Sequence, residues 1–141
     1  MKNLIISRDE SLEAGQFINR KMYEFNAAHF DESLHGRYQE VNLFVKDEEG
    51  RIHGGILCEI CWDWMEVKYL FIEEEKRKSG LGRRLLSEAE NVAEKNGCTF
   101  IKLDTLSFQA FDFYKKMGYQ EYGRIENAGG AFVHHYLKKD L

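Results

Sequence analysis

The stretch EEEKRKSGLGRRLLSEAE, Glu73 to Glu90, sets three carboxylates beside three cations, then two glycines, then an amphipathic pattern. Before it, WMEVKYLFI alternates as a strand ending at Ile72. After it, Leu81, Leu85, Ala89, Val92 and Ala93 mark one face of a helix, and Gly97 stands where a helix is normally closed. A strand, a short turn and a helix beginning near Gly80 make an anion site. The first helical turn leaves N–H groups unpaired, and the helix dipole puts partial positive charge there. Gly80 and Gly82 remove side chains that would hold a phosphate away, and Arg77, Lys78, Arg83 and Arg84 ring the turn with charge. The pattern R-x-x-G-x-G is too short for a P-loop and lacks the third glycine of a dinucleotide fingerprint. The competing reading is a plain loop glycine beside a solvated charge run. Placement between a strand and an amphipathic helix favours the phosphate.

The rest of the chain is compatible with a small enzyme. Its 141 residues, 43% hydrophobic and without proline, fit one domain, residues 1–141, with an ordinary core. The net charge of −4 argues against a nucleic-acid binder that works by neutralising phosphates. Three cysteines, with no secretory leader and no long apolar run, suggest reduced thiols in a soluble, cytoplasmic protein without membrane attachment. Cys58 and Cys61 form a C-x-x-C, but three residues apart on a strand they face opposite ways, and no second pair follows at zinc spacing. No metal is expected; the five histidines are scattered, and the adjacent His134 and His135 point to opposite faces of a strand.

Along the chain, NLIIS reads as an opening strand, and Ser11 caps a helix carrying Ala14, Ile18, Met22 and Phe25. The stretch FNAAHFDESLHGR holds at most a short helix. YQEVNLFVKDEEGRIHGGILCEIC is a hairpin turning at Gly50, and WMEVKYLFI a further strand. CTFIKLDTL is a strand, QAFDFYKKMG a short helix, and two closing strands flank ENAGG. This order, β-α-(α)-β-β-β-α-β-α-β-β, predicts an α/β fold with one mixed sheet and helices on both faces.

Two segments together resemble the GNAT superfamily of acetyl-CoA-dependent N-acetyltransferases. YLFIEEEKRKSGLGRRLL, from Tyr69, is similar to the family's R-x-x-G-x-G segment after its fourth strand. LDTLSFQAFDFYKKMGYQEYG, from Leu103, resembles its closing strand-helix-strand. The resemblance covers about Leu43 to Tyr122; the first 42 residues agree in pattern only. It implies a sheet of about seven strands whose fourth and fifth strands splay apart to form the cofactor cleft. Backbone N–H groups of Arg77, Lys78, Ser79, Gly80, Leu81, Gly82 and Arg83 would hold the CoA pyrophosphate. Leu70, Phe71 and Ile72 would pair with the pantetheine arm, and the Leu70 N–H would face the developing oxyanion. Ser107 stands where the family often has a pantetheine-binding asparagine; a hydroxyl still donates and accepts.

Transfer from a thioester to an amine needs an unprotonated amine, a fixed oxyanion donor and a proton for the leaving thiolate. Tyr114 occupies the family's usual tyrosine position and is expected to supply that proton. The same tyrosine could be core, since Ala110, Phe113, Tyr114 and Met117 share a helix face. Glu66 is the first choice of base, with strand alternation placing it on one face with Lys68, Leu70 and Ile72; Asp63, Glu59 and Asp104 are alternatives. A surface glutamate paired with Lys68 is the plainer reading. His29 could line the acceptor pocket, or lie on a surface loop.

The expected activity is acetyl transfer from acetyl-CoA to a primary amine of a small molecule or peptide, in a possible homodimer. Acetylation of a protein N-terminus or lysine is a close alternative. An acyl-CoA sensor without turnover, and a protein-interaction domain, are the rivals from other classes.

Overall fold

The computed structural model describes residues 3–141, which divide into two compact units, residues 3–35 and Gly36–Leu141. The first unit holds helix α1, Leu12–Ala27. Its Ser11 cap forms as expected, the side chain accepting from the Ala14 N–H at 3.3 Å. No residue of α1 is buried; Ile18, Met22 and Phe25 are exposed. A single 3-10 turn, Glu32–Leu34, follows. The expected opening strand is absent. Residues 3–10 have no regular structure, and Leu4, Ile5 and Ile6 are exposed.

The second unit is a mixed sheet of six strands rather than seven, flanked by helices. Its strands are β1 (Gln39–Lys46), β2 (Ile52–Cys61), β3 (Trp64–Ile72), β4 (Phe100–Leu106), β5 (Gln120–Ala128) and β6 (Phe132–Asp140), in spatial order β1-β2-β3-β4-β6-β5. Only the β3–β4 pair is parallel. Helix α2 (Leu81–Lys95) makes that crossover, and α3 (Phe111–Lys116) joins β4 to β5. Gly97, at φ +75°, closes α2: the Cys98 N–H reaches back to the Ala93 carbonyl at 2.9 Å.

Both helices of this unit contribute to one core. Leu85, Leu86, Ala89 and Ala93 of α2 and Tyr114 of α3 join Ile56, Cys58, Ile60, Met65, Val67, Ile101 and Leu137 from the sheet. Alternation sends the polar partners of those strands, among them Glu59, Glu66, Lys102 and His134, to the opposite face.

Two irregularities in β3 open a gap in the sheet. Pairing with β2 runs Cys58↔Val67, then Leu57↔Tyr69, so Lys68 is an extra residue, a β-bulge that resets the alternation. Pairing with β4 stops at Val67↔Leu103, so from Lys68 onward the two strands part. These are the two strands that the family resemblance expects to splay.

Candidate active site

The loop after β3 builds a cluster of N–H groups. A 3-10 turn, Glu74–Lys76, leads into Arg77. Lys78 and Gly80 then adopt left-handed conformations, φ +63° and +84°, and Ser79 Oγ donates to the Lys76 carbonyl at 2.5 Å. Alternating handedness turns successive N–H groups towards one side. No backbone carbonyl among the described residues takes the N–H groups of Lys78, Ser79, Gly80, Leu81, Gly82 or Arg83; the first bond of α2 is Arg84 N–H to Gly80. The helix also lacks the usual devices for its first turn. Its N-cap is Gly80, with no side-chain cap, and no acidic residue follows, while Arg83 and Arg84 do. Cations at a positive helix end oppose the dipole, a sequence choice that an anion at this position would make favourable. Gly80 is required by its positive φ; a side chain on Gly82 would make only ordinary contact with Phe113, at 3.7 Å, so its bareness serves the surface rather than the interior.

Arg77 departs from the expected run. Its N–H is already given to the Glu74 carbonyl at 3.2 Å, so the free series begins at Lys78. Its side chain folds back, Nε donating to the Ile72 carbonyl at 2.8 Å with the guanidinium 5.6 Å from the Phe71 ring centre. Arg77 therefore ties the loop to the end of β3.

The edge of β3 beside the parted β4 is open. The Glu73 N–H bonds the His53 carbonyl at 2.9 Å, so Phe71 and Tyr69 also direct their backbone groups to β2, and Leu70 and Ile72 direct theirs away from it. Leu70 and Ile72 thus offer backbone to the gap, while Phe71 offers only an exposed ring. The Ile72 carbonyl carries the Arg77 bond.

Tyr114 lies on the helix-bearing face, 5% exposed, its ring against Phe113 and Tyr119. Burial pushes its pKa up to about 12, with the nearby Cys58 and Asp104 adding to the effect. No described group hydrogen-bonds its hydroxyl, yet among the described residues no buried side-chain nitrogen or oxygen is left without a partner, so the oxygen is not sealed in the core. A phenol that keeps its proton at neutral pH and has an uncommitted hydroxyl is suited to donate.

Glu66 does not share a face with Leu70 and Ile72. The Lys68 bulge puts it on the opposite, open face, where it opposes Glu59 and pairs with Lys102 Nζ at 3.3 Å. The anticipated partner Lys68 instead meets Glu59 at 3.6 Å, and Tyr38 donates to Glu59 at 2.9 Å. Asp63 uses its carbonyl to hold the Thr99 N–H at 2.6 Å. Ser107 bonds Val133 twice: its N–H to the Val133 carbonyl, and its Oγ accepting from the Val133 N–H at 3.0 Å. Only its hydroxyl proton remains to give. His29 sits in the first unit against Phe25. Cys58 is buried and its thiol pushed up to about 12 by that burial, while Cys61 faces the other side.

Two histidine clusters escaped the sequence reading. His53 is held between Glu73, 2.9 Å from Nδ1, and Asp47, 2.8 Å from Nε2. His134 is held between Asp104, 2.8 Å from Nε2, and the Tyr136 hydroxyl, 3.1 Å from Nδ1. Alternation placed His134 and Tyr136 on one face, but only the β4–β6 register brings Asp104 to them.

The chain is similar to known acetyltransferases. The chain is 28% identical to an acetyltransferase of Agrobacterium fabrum over 123 residues, 87% of this chain and 88% of that one. It is 35% identical to the blasticidin-S acetyltransferase of Streptomyces morookaense over 95 residues, 67% and 70% of the two chains. The crystal structure of an acetyltransferase from Bacillus cereus superposes with a TM-score of 0.88 at 34% identity, covering 97% of this chain and 98% of that one. The sequence profile of the acetyltransferase (GNAT) family matches residues 9–119, and the chain belongs to that family: it is an acetyltransferase.

Proposed function

We propose that the enzyme transfers the acetyl group of acetyl-CoA directly to a primary amine of a small molecule, in one catalytic domain. The observation that carries this reading is the run of uncommitted N–H groups from Lys78 to Arg83, at a helix start with cations and no cap, beside the open edge of β3. The CoA pyrophosphate sits on those groups and the pantetheine arm extends β3 along Leu70 and Ile72. The Leu70 N–H stabilises the oxyanion. Ser107 donates a hydrogen bond from its hydroxyl to the pantetheine.

Tyr114 donates a proton to the departing thiolate. Glu66, at the rung before β3 and β4 part, already shares the Lys102 ammonium, which competes for its lone pairs. Its proposed role is to attract a cationic acceptor to the open face. A small acceptor is supported by an open groove of about 220 Å³ along β3, walled by Phe44, Leu57, Tyr69 and Phe71 with Glu73 at one end. The similarity to blasticidin-S acetyltransferase makes blasticidin S the first acceptor to try.

Calorimetric titration with acetyl-CoA, followed by thiol release against blasticidin S, spermidine and a peptide with a free N-terminus, tests the reading. Binding with amine-dependent thiol release is expected. Binding without release from any amine would make the protein an acyl-CoA sensor, and no binding would end the proposal.

A further inference from the structure

We propose that Tyr136 and His134, backed by Asp104, form the relay that takes the proton lost by the acceptor amine. The inference rests on the acetyl-transfer reading.

Its basis is position as well as bonding. The last β3–β4 rung is Val67↔Leu103, so Asp104 is the first β4 residue beside the gap. Tyr136 is its direct partner across β4–β6, and His134 opposes Leu106 two residues on. All three side chains lie on the open face, while Tyr114 comes from the helix-bearing face; Asp104 is near enough for its charge to act on the Tyr114 hydroxyl. Acid and relay therefore flank the gap from opposite sides of the sheet. The cluster is reachable, with the side chain of His134 28% and that of Asp104 49% exposed.

The hydrogen bonds fix a direction. A carboxylate only accepts, so His134 donates its Nε2–H to Asp104 and keeps Nδ1 as the basic nitrogen, which receives the Tyr136 O–H. In the reaction an N–H bond of the acceptor ammonium breaks and its proton passes to Tyr136 Oη, as the tyrosine's own proton passes to His134 Nδ1. The freed nitrogen pair attacks the acetyl carbonyl. The C–S bond breaks with its electron pair on sulfur, which takes the proton of Tyr114. The surplus proton left on the acylated nitrogen passes through water to the Tyr114 oxygen, leaving a neutral amide and a neutral tyrosine. The resulting imidazolium lies against the Asp104 carboxylate and later returns its proton to water. The groups facing His134 are Asp104 and Leu106 from β4, Ile125 from β5 and Tyr136 from its own strand, with the Tyr122 ring beyond Tyr136. Lys102 and Lys138 lie farther along the same face, Lys102 already paired with Glu66. Among the described residues, Asp104 is thus the one carboxylate bonded to this histidine.

The test is the pH dependence of kcat/KM for whichever of the three amines the parent acetylates fastest, in the parent, His134→Gln and Tyr136→Phe. The parent's kcat/KM should rise with pH through a neutral-range inflection that both variants lose. Both variants should lose about tenfold or more at neutral pH and regain it at alkaline pH, where the amine is already free. Their acetyl-CoA affinity should match the parent's, which also certifies the fold. A neutral inflection that survives in both variants, or survives in His134→Gln and vanishes in Glu66→Gln, overturns the relay. A parent that binds acetyl-CoA but acetylates no amine overturns the transfer reading and the relay with it.

Discussion

At the scale of single residues, Tyr114 carries the sharpest expectation. Its hydroxyl is buried enough to hold its proton and has no internal partner, so Tyr114→Phe removes a donor while preserving the ring contacts with Phe113 and Tyr119. Turnover should fall roughly 100-fold or more, with acetyl-CoA affinity little changed. Steady-state rates alongside calorimetry check this, and a variant as fast as the parent would remove the acid role. His53 gives a second residue-level expectation. Hydrogen bonds donated to Glu73 first and Asp47 second raise its pKa, while His53 and the loop N–H groups lower that of Asp47. A raised histidine contributes stability that is complete below its unfolded value of roughly 6.5 and is lost as pH rises through the folded value. The Asp47 contribution has the opposite sense, lost as pH falls through its lowered folded value. Melting temperature should therefore decline from pH 6 to 8 in the parent and decline less in His53→Gln; identical slopes would contradict the clamp.

At the scale of elements, the start of α2 was legible because its signals are local. A strand pattern ending at Ile72, two glycines and a 3.6-residue period beginning at Leu81 fix the turn without knowledge of anything distant. The cap at Ser11 and the stop at Gly97 were legible for the same reason. What local pattern cannot carry is register. The Lys68 bulge adds one residue to β3 and moves Glu66 to the other face from Leu70, and no feature of WMEVKYLFI announces it. Likewise the sequence separates Asp104 from His134 by thirty residues, and only the β4–β6 pairing joins them. NLIIS failed for a related reason, since strand-like composition does not supply a partner strand. The element-level prediction concerns Gly80. Nothing lies within 4 Å of a side chain placed there, so Gly80→Asp should fold with only the cost of its left-handed conformation. A carboxylate beside the free N–H groups should weaken acetyl-CoA binding by about tenfold or more, roughly 1.4 kcal/mol or greater. Unchanged affinity would move the pyrophosphate elsewhere.

At the scale of the whole molecule, the local electrostatics run against the average. The chain is acidic overall, yet Lys76, Arg77, Lys78, Arg83 and Arg84 outnumber Glu73, Glu74 and Glu75 around one loop, so the proposed anionic cofactor would meet local positive charge. The core that holds this loop in place is small and continuous. Leu86 is fully buried on α2, and Leu86→Ala should cost about 2–5 kcal/mol in chemical denaturation. No helix among the described residues is long and apolar enough to cross a membrane. The central claim is that free amides from Lys78 to Arg83 grip the CoA diphosphate, and amide-resolved NMR of ¹⁵N-labelled protein titrated with CoA tests it most directly. The account predicts that the amides of Lys78 to Arg83 shift most and saturate together, with that of Leu70 following. Saturable binding that leaves those loop amides unmoved would contradict it.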